Sequence, residues 1–167
     1  TSNGLDYLIN NIERGGMPIV HGSYENPPNK EQWDLEFTTT VKAKALLFQH
    51  FKDLLLTRPG GALVNISSIA AEVGRTGPAA PFYSDGYCAA NRAVKSLTRS
   101  WAREMAPHIR VNEIALGFIE NRHGPGTRGW KQCSKDQQQQ LLDHILLGRI
   151  GHCEEVAELV YYLAVRA

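Results

Sequence analysis

Two short, mostly apolar runs, Leu5 to Ile9 and Ala62 to Ile66, and a third strand-like segment, Ile109 to Ala115, each end in polar or flexible residues, and long amphipathic stretches separate them. Short apolar runs bounded by such residues read as buried strands. Their alternation with helices predicts a parallel sheet covered by helices, an α/β chain. The 167 residues suffice for one domain with a real core. Between the first two strands, Phe37, Val41, Ala45, Phe48, Phe51 and Leu55 recur at spacings of three or four, which predicts a helix over 33–56 that Pro59-Gly60-Gly61 stops. Tyr87, Ala90, Val94, Leu97, Trp101 and Met105 predict a second over 86–105, with Pro107 just beyond it. Ser134 and Gln137 make a capping box for a helix reaching about Leu147. Val156, Leu159, Val160 and Leu163, with Glu154, Glu155 and Glu158 between them, form a last amphipathic helix. Residues 13–32 and 74–86, rich in glycine and proline, read mostly as loop.

In parallel α/β sheets ligands gather beyond the carboxyl ends of the strands. Asn10-Asn11, Ser67-Ser68 and Leu116-Gly117 all fall there, so three strands aim polar or flexible residues at one edge. Composition narrows what that edge can serve. The net charge is +1, from 18 basic and 17 acidic side chains scattered along the chain, which argues against a nucleic-acid or anionic-membrane surface. No apolar run approaches the roughly 20 residues of a membrane span. Cys88, Cys133 and Cys153 are odd in number and lack metal-type spacing, and the six histidines are dispersed. No metal site is expected, and free thiols point to a reducing cytoplasm.

The order of five motifs is more specific than any one of them. Asn10-Asn11-Ile12-Glu13 resembles an Asn-Asn-Ala-Gly turn, and Ser67-Ser68 a serine-tipped strand. Tyr87 with Asn91 resembles Tyr-x-x-x-Lys with the lysine replaced, and Leu116-Gly117 a Pro-Gly turn with the proline replaced. Leu147-Gly148-Arg149-Ile150-Gly151, followed by Glu154-Glu155-Val156-Ala157, resembles the approach to a last helix. In this order they resemble the short-chain dehydrogenase/reductase family. The resemblance implies a Rossmann-like, doubly wound parallel sheet in which residues 1–167 form a single partial domain. The N-terminal nucleotide-binding unit and the C-terminal strand would be absent from this chain, supplied by a longer polypeptide or a partner chain. It implies NADP or NAD as cofactor, a carbonyl or imine-type small molecule as substrate, and a homo-oligomer formed through helices 33–56 and 86–105, for which Phe48, Phe51, Leu97 and Trp101 offer apolar area.

The resemblance also assigns roles. Tyr87 would exchange the proton, Ser68 would hydrogen-bond the substrate oxygen, and Thr40 falls where the family has a proton-relaying asparagine. Asn10, Ile12, Tyr87, Asn91, Gly117 and Ile119 would line the cofactor. Asn91 is the departure that matters. A free phenol has a pKa of about 10, and a lysine one helical turn on stabilises its phenolate by charge. Asn91 faces the same way without charge, so turnover is expected to be impaired, and Asn91→Lys to gain about tenfold for each pKa unit recovered. Arg92 points away at about 100° per residue, and Lys95 lies roughly 12 Å further along the axis than Tyr87, so neither replaces it. Tyr83 is a rival proton donor, but its fourth residue on is Tyr87. The alternative is an inactive homologue serving as a binding or assembly subunit. Gly124-Pro125-Gly126-Thr127-Arg128-Gly129 satisfies Gly-x-Gly-x-x-Gly yet lacks an immediately preceding strand, and it reads as a substrate loop rather than a phosphate cradle.

Overall fold

A computed structural model describes residues 4–12, 24–120, 130 and 133–167; the Gly124–Gly129 run lies outside them. Three parallel strands, β1 (Tyr7–Asn10), β2 (Ala62–Ser68) and β3 (Arg110–Leu116), form one sheet in the order β1-β2-β3. The register pairs Asn10 with Asn65 and Ser68 with Leu116, so the carboxyl ends of β2 and β3 finish level. β1 begins at Tyr7, two residues later than the apolar run suggests. Tyr7 and Ile9 are exposed, and among the described residues β1 has a strand on one side only.

Helices cover both faces, as a doubly wound sheet requires. On one face Phe48 and Leu55 of α2 (Ala43–Leu56) and Trp101 and Met105 of α4 (Asp85–Met105) pack with Leu63 and Ile109. On the other, Val64, Ile66 and Ile114 pack against Val160 of α6 (Cys153–Tyr161) and Leu163 beyond it. The odd and even positions of β2 thus serve opposite cores, which makes the strand a continuous buried run. No helix among the described residues is long and apolar enough to cross a membrane, and Cys88, Cys133 and Cys153 are free thiols.

The first long helix departs most from its sequence reading. It starts at Pro27, because Pro27 and Pro28 occupy first-turn positions where a missing N–H costs nothing. It runs as α1 (Pro27–Glu36), a π-helical turn over Phe37–Lys42, and then α2. Thr38-Thr39-Thr40 fills that turn, and the Thr39 hydroxyl donates to the Leu35 carbonyl at 2.8 Å, competing with the backbone ladder. In the amino-terminal half, the expected apolar stripe is not the buried one: Phe37 is exposed and Val41 only half-buried. Gln32, Glu36, Thr40 and Lys44 are buried instead. A series at every fourth residue drifts about 40° per step around an α-helix, and the wider π turn takes up part of that drift. Four polar side chains therefore stay on the buried side of the helix.

Phe48 and Trp101 stack with centroids 4.4 Å apart inside the core, whereas Phe51 and Leu97 are half-buried. The exposed apolar residues of the first long helix are Phe37, Leu46, Leu54 and Leu56. The capping box at Ser134 and Gln137 is present, but α5 (Lys135–His144) ends three residues before Leu147, and Gly148 takes a positive φ of 67° just beyond.

Candidate active site

Ser68 ends β2, and Ile69 leads into the short α3 (Ala70–Val73). The Ser68 hydroxyl accepts from the Ala70 N–H at 3.1 Å and hydrogen-bonds the Tyr83 phenol. Tyr83 leaves a 3₁₀ turn over Gly77–Phe82 and sits just before α4, buried between two rings. It stacks on Tyr87 at 5.9 Å and on Phe118, which follows β3, at 6.1 Å. Ser84 caps α4, its hydroxyl accepting the Tyr87 N–H at 3.1 Å, so Tyr87 is fixed in the first helical turn. Ser68, Tyr83, Tyr87 and Phe118 thus assemble at the carboxyl edge of β2 and β3. The long Gly/Pro-rich interval between Ser68 and Tyr87 is taken up by α3 and the 3₁₀ turn.

The two aromatic hydroxyls differ in setting. Burial pushes the Tyr83 phenol up to about 12, the Cys88 thiolate would repel its charge further, and the Ser68 hydrogen bond acts the other way. Tyr83 is therefore a neutral donor at any physiological pH. Burial, then Asp85, likewise pushes the Cys88 thiol up to about 11, so it is an inert neighbour rather than a nucleophile. A folded-state phenol pKa above the unfolded value of about 10 contributes stability that is intact below pH 10 and lost as pH rises toward 12. Chemical denaturation across that window should show a decline that Tyr83→Phe flattens.

A second cluster lies under α1 and α2. Asn10 is fully buried, and its amide donates to Asn65 Oδ1 at 2.9 Å; Asn65 donates to Thr98 Oγ1 at 2.9 Å, which ties β1, β2 and α4 together. Asn10 Oδ1 is buried with no partner among the described residues. Thr40 is buried with its hydroxyl 3.4 Å from Glu36 Oε2, on the π turn that packs against α4. Lys44, one turn on, is 1% exposed and donates to the Ile12 carbonyl at 2.6 Å. Asn91 is buried too, but its amide folds back to donate to the Tyr87 carbonyl at 3.0 Å. Arg92 and Lys95 both pair with Glu72 of α3 on the outer surface. Gly117 is exposed beyond β3, and Ile119 forms a parallel bridge with Gly151.

Two groups have contacts that the sequence reading did not anticipate. Tyr83 stands as a rival donor there, whereas its contact is with Ser68. Glu36 and Lys44 have no place in it, although Gln32, Glu36, Thr40 and Lys44 recur at every fourth residue and could have been read as a polar stripe.

Residues 1–167 match the family model described as enoyl-(acyl carrier protein) reductase. Among curated relatives, the 3-oxoacyl-[acyl-carrier-protein] reductase FabG of Thermotoga maritima is 32% identical over 163 residues, covering 96% of this chain and 58% of that protein. The (3R)-3-hydroxyacyl-CoA dehydrogenase of Rattus norvegicus is 32% identical over 81% of this chain and 49% of its own length. A solved structure from Agrobacterium tumefaciens, described as a 2-deoxy-d-gluconate 3-dehydrogenase with bound NADP, superposes with a TM-score of 0.77 at 30% identity, covering 95% of this chain and 59% of that one. The NAD-bound 3-oxoacyl-[acyl-carrier protein] reductase of Brucella melitensis shares the fold at 20% identity and a TM-score of 0.75. The chain thus spans just under three-fifths of the length of the FabG relative it matches. By full-length match to the family model, by relatives at this identity and by its parallel sheet, the chain belongs to the short-chain dehydrogenase/reductase family.

Proposed function

We propose that this chain is the catalytic half of an NAD(P)(H)-dependent oxidoreductase that reduces a carbonyl or imine-type small molecule. The observation that supports it most is the Ser68–Tyr83–Tyr87 cluster at the carboxyl edge of a parallel sheet. Ser68 and Tyr83 present hydroxyl groups to a substrate oxygen, and Tyr83 stays protonated, so the pair can hold developing negative charge. Tyr87, half-buried in the first turn of α4, is the proton donor.

The donor set suits the nicotinamide–ribose end of a dinucleotide. The Ser68 hydroxyl, the backbone at Gly117 and Ile119, the Asn10 oxygen that has no partner among the described residues and the carbonyl of Ile12 lie at or just past the strand ends, and Tyr87 and Asn91 belong to the first two turns of α4. When bound, the reduced cofactor supplies the hydride. The adenine half would sit on strands that continue the sheet past β1, where Tyr7 and Ile9 are exposed; a longer polypeptide or a partner chain would provide them. A homo-oligomer would use the exposed Phe37, Leu46 and Leu54 of the first long helix with its α4 neighbour, and a reducing cytoplasm suits the three free thiols.

A second reading, a non-catalytic binding or assembly subunit, is favoured by one observation: Asn91 is uncharged and spends its amide on the Tyr87 carbonyl. Steady-state assays of the full-length protein over a carbonyl panel separate the two. Ser68→Ala should lower kcat by about a hundredfold with NAD(P)H binding retained. Dinucleotide binding with no turnover on any carbonyl would favour the second reading.

A further inference from the structure

The Ser68–Tyr83 couple has one proton to give. A serine hydroxyl carries one O–H and two lone pairs, and a phenol one O–H. Ser68 accepts from the Ala70 N–H at 3.1 Å and shares a hydrogen bond with the Tyr83 phenol. Whichever hydroxyl donates in that bond, the other keeps its proton for a ligand. A carbonyl oxygen has two lone pairs in the carbonyl plane, one on the side of each substituent. The couple's free proton suits one lone pair and the Tyr87 phenol the other. The substituent on the couple's side then faces Tyr83. That side is closed. Tyr83 is 6% exposed, stacked between Tyr87 at 5.9 Å and Phe118 at 6.1 Å. Buried Phe118 meets Phe82 edge-on at 5.8 Å, and Phe82 stacks on Trp130 at 6.1 Å, so the rings back one another. The backbone holds them too. Tyr83 is set between a 3₁₀ turn and the Ser84 cap of α4, and the Phe118 carbonyl accepts from the Gly151 N–H at 2.9 Å. A wall packed in this way yields little to an added methylene.

We propose that Tyr83 is a specificity-determining residue whose ring limits the substituent on its side of the carbonyl to hydrogen or methyl, so that the substrates are aldehydes and methyl ketones. The inference deepens the oxidoreductase reading and rests on Ser68 and Tyr87 holding the carbonyl oxygen. It divides the work of Tyr83 in two. The hydroxyl completes the hydrogen bonds of Ser68, and the ring excludes bulk. The two parts are separable by substitution, because phenylalanine keeps the ring and leucine or alanine removes it.

The test uses the full-length protein with NAD(P)H and three isomeric ketones: methyl hexyl, ethyl pentyl and propyl butyl ketone. Their composition is the same while the smaller substituent grows. From the methyl to the propyl isomer, kcat/KM should fall by roughly tenfold or more, as in a close-fitting pocket that discriminates by single methylenes. Tyr83→Leu and Tyr83→Ala should narrow that ratio by about fivefold or more, since both open the space of the ring. Tyr83→Phe should keep the ratio even as kcat falls, an outcome that a purely structural role for the ring does not produce together with the other two. Equal kcat/KM for the three ketones in the wild type would overturn the proposal with no substitution made. An unchanged ratio in whichever of Tyr83→Leu and Tyr83→Ala folds would overturn it as well. Calorimetric titration with the same ketones and an oxidised dinucleotide needs no turnover. An inactive wild type that prefers the methyl isomer, with the preference lost in Tyr83→Leu, would sink the oxidoreductase reading and leave the selectivity of the Tyr83 wall standing. Equal or absent binding of the three ketones by an inactive protein would overturn both.

Discussion

Replacing Tyr87 with phenylalanine in the full-length protein should lower kcat for carbonyl reduction by about 10²–10⁴-fold, the range a positioned general acid contributes. The fold should survive, because the ring keeps its stacking partner Tyr83 and its backbone keeps the Ser84 cap. KM for the nucleotide should change little, since one hydroxyl contact is lost and no charge is removed. Tyr83→Phe makes the contrast. It leaves Ser68 without its phenol partner, and turnover should fall by less than in Tyr87→Phe. If Tyr83→Phe proves the more damaging of the two, proton donation lies with Tyr83, and the helix-start motif has led to the wrong residue. Kinetics of both variants alongside near-ultraviolet circular dichroism would separate chemistry from misfolding.

The largest effect on stability is expected from Trp101→Ala. Trp101 is 6% exposed, stacks on Phe48 at 4.4 Å and fills the space between α2, α4 and the sheet. Deleting a buried tryptophan removes its transfer free energy and leaves a cavity, at a cost of about 3–5 kcal/mol. The full-length protein should show a matching loss in denaturant unfolding with little change in the slope of the transition. A loss below about 1 kcal/mol would mean that α2 and α4 collapse onto the gap, or that the Phe48–Trp101 face is less filled than its burial suggests.

The sheet was legible because three short strand-like segments each ended in polar or flexible residues, and one register serves them all. The α4 stripe was legible for the same reason: Ala90, Val94, Trp101 and Met105 are buried, as their spacing predicts. The first long helix was not. Pro27 and Pro28 read as loop, although prolines in a first turn begin helices, and a π turn cannot be seen in a pattern counted at 3.6 residues. Apolar spacing then pointed to Phe37 and Val41, while Gln32, Glu36, Thr40 and Lys44 went inside. Polar residues are buried where other groups satisfy them; Lys44 donates to the Ile12 carbonyl and Thr40 to Glu36, partners that composition alone does not reveal. At the site, motif order led to Ser68 and Tyr87 by residue, but the interposed Tyr83 depends on how α3 and the 3₁₀ turn fold the long interval between them.

The central claim is that this chain brings a carbonyl and a reduced nicotinamide together for hydride transfer. Its most direct test is an isotope experiment on the full-length protein, with NADPH and NADH each deuterated at the transferring carbon, incubated with short 3-oxoacyl thioesters and other small carbonyl compounds. Deuterium should appear on the former carbonyl carbon of the product, with one stereochemistry, and be lost in Tyr87→Phe. A protein that binds the dinucleotide yet leaves the label on the nicotinamide with every carbonyl offered would contradict the account.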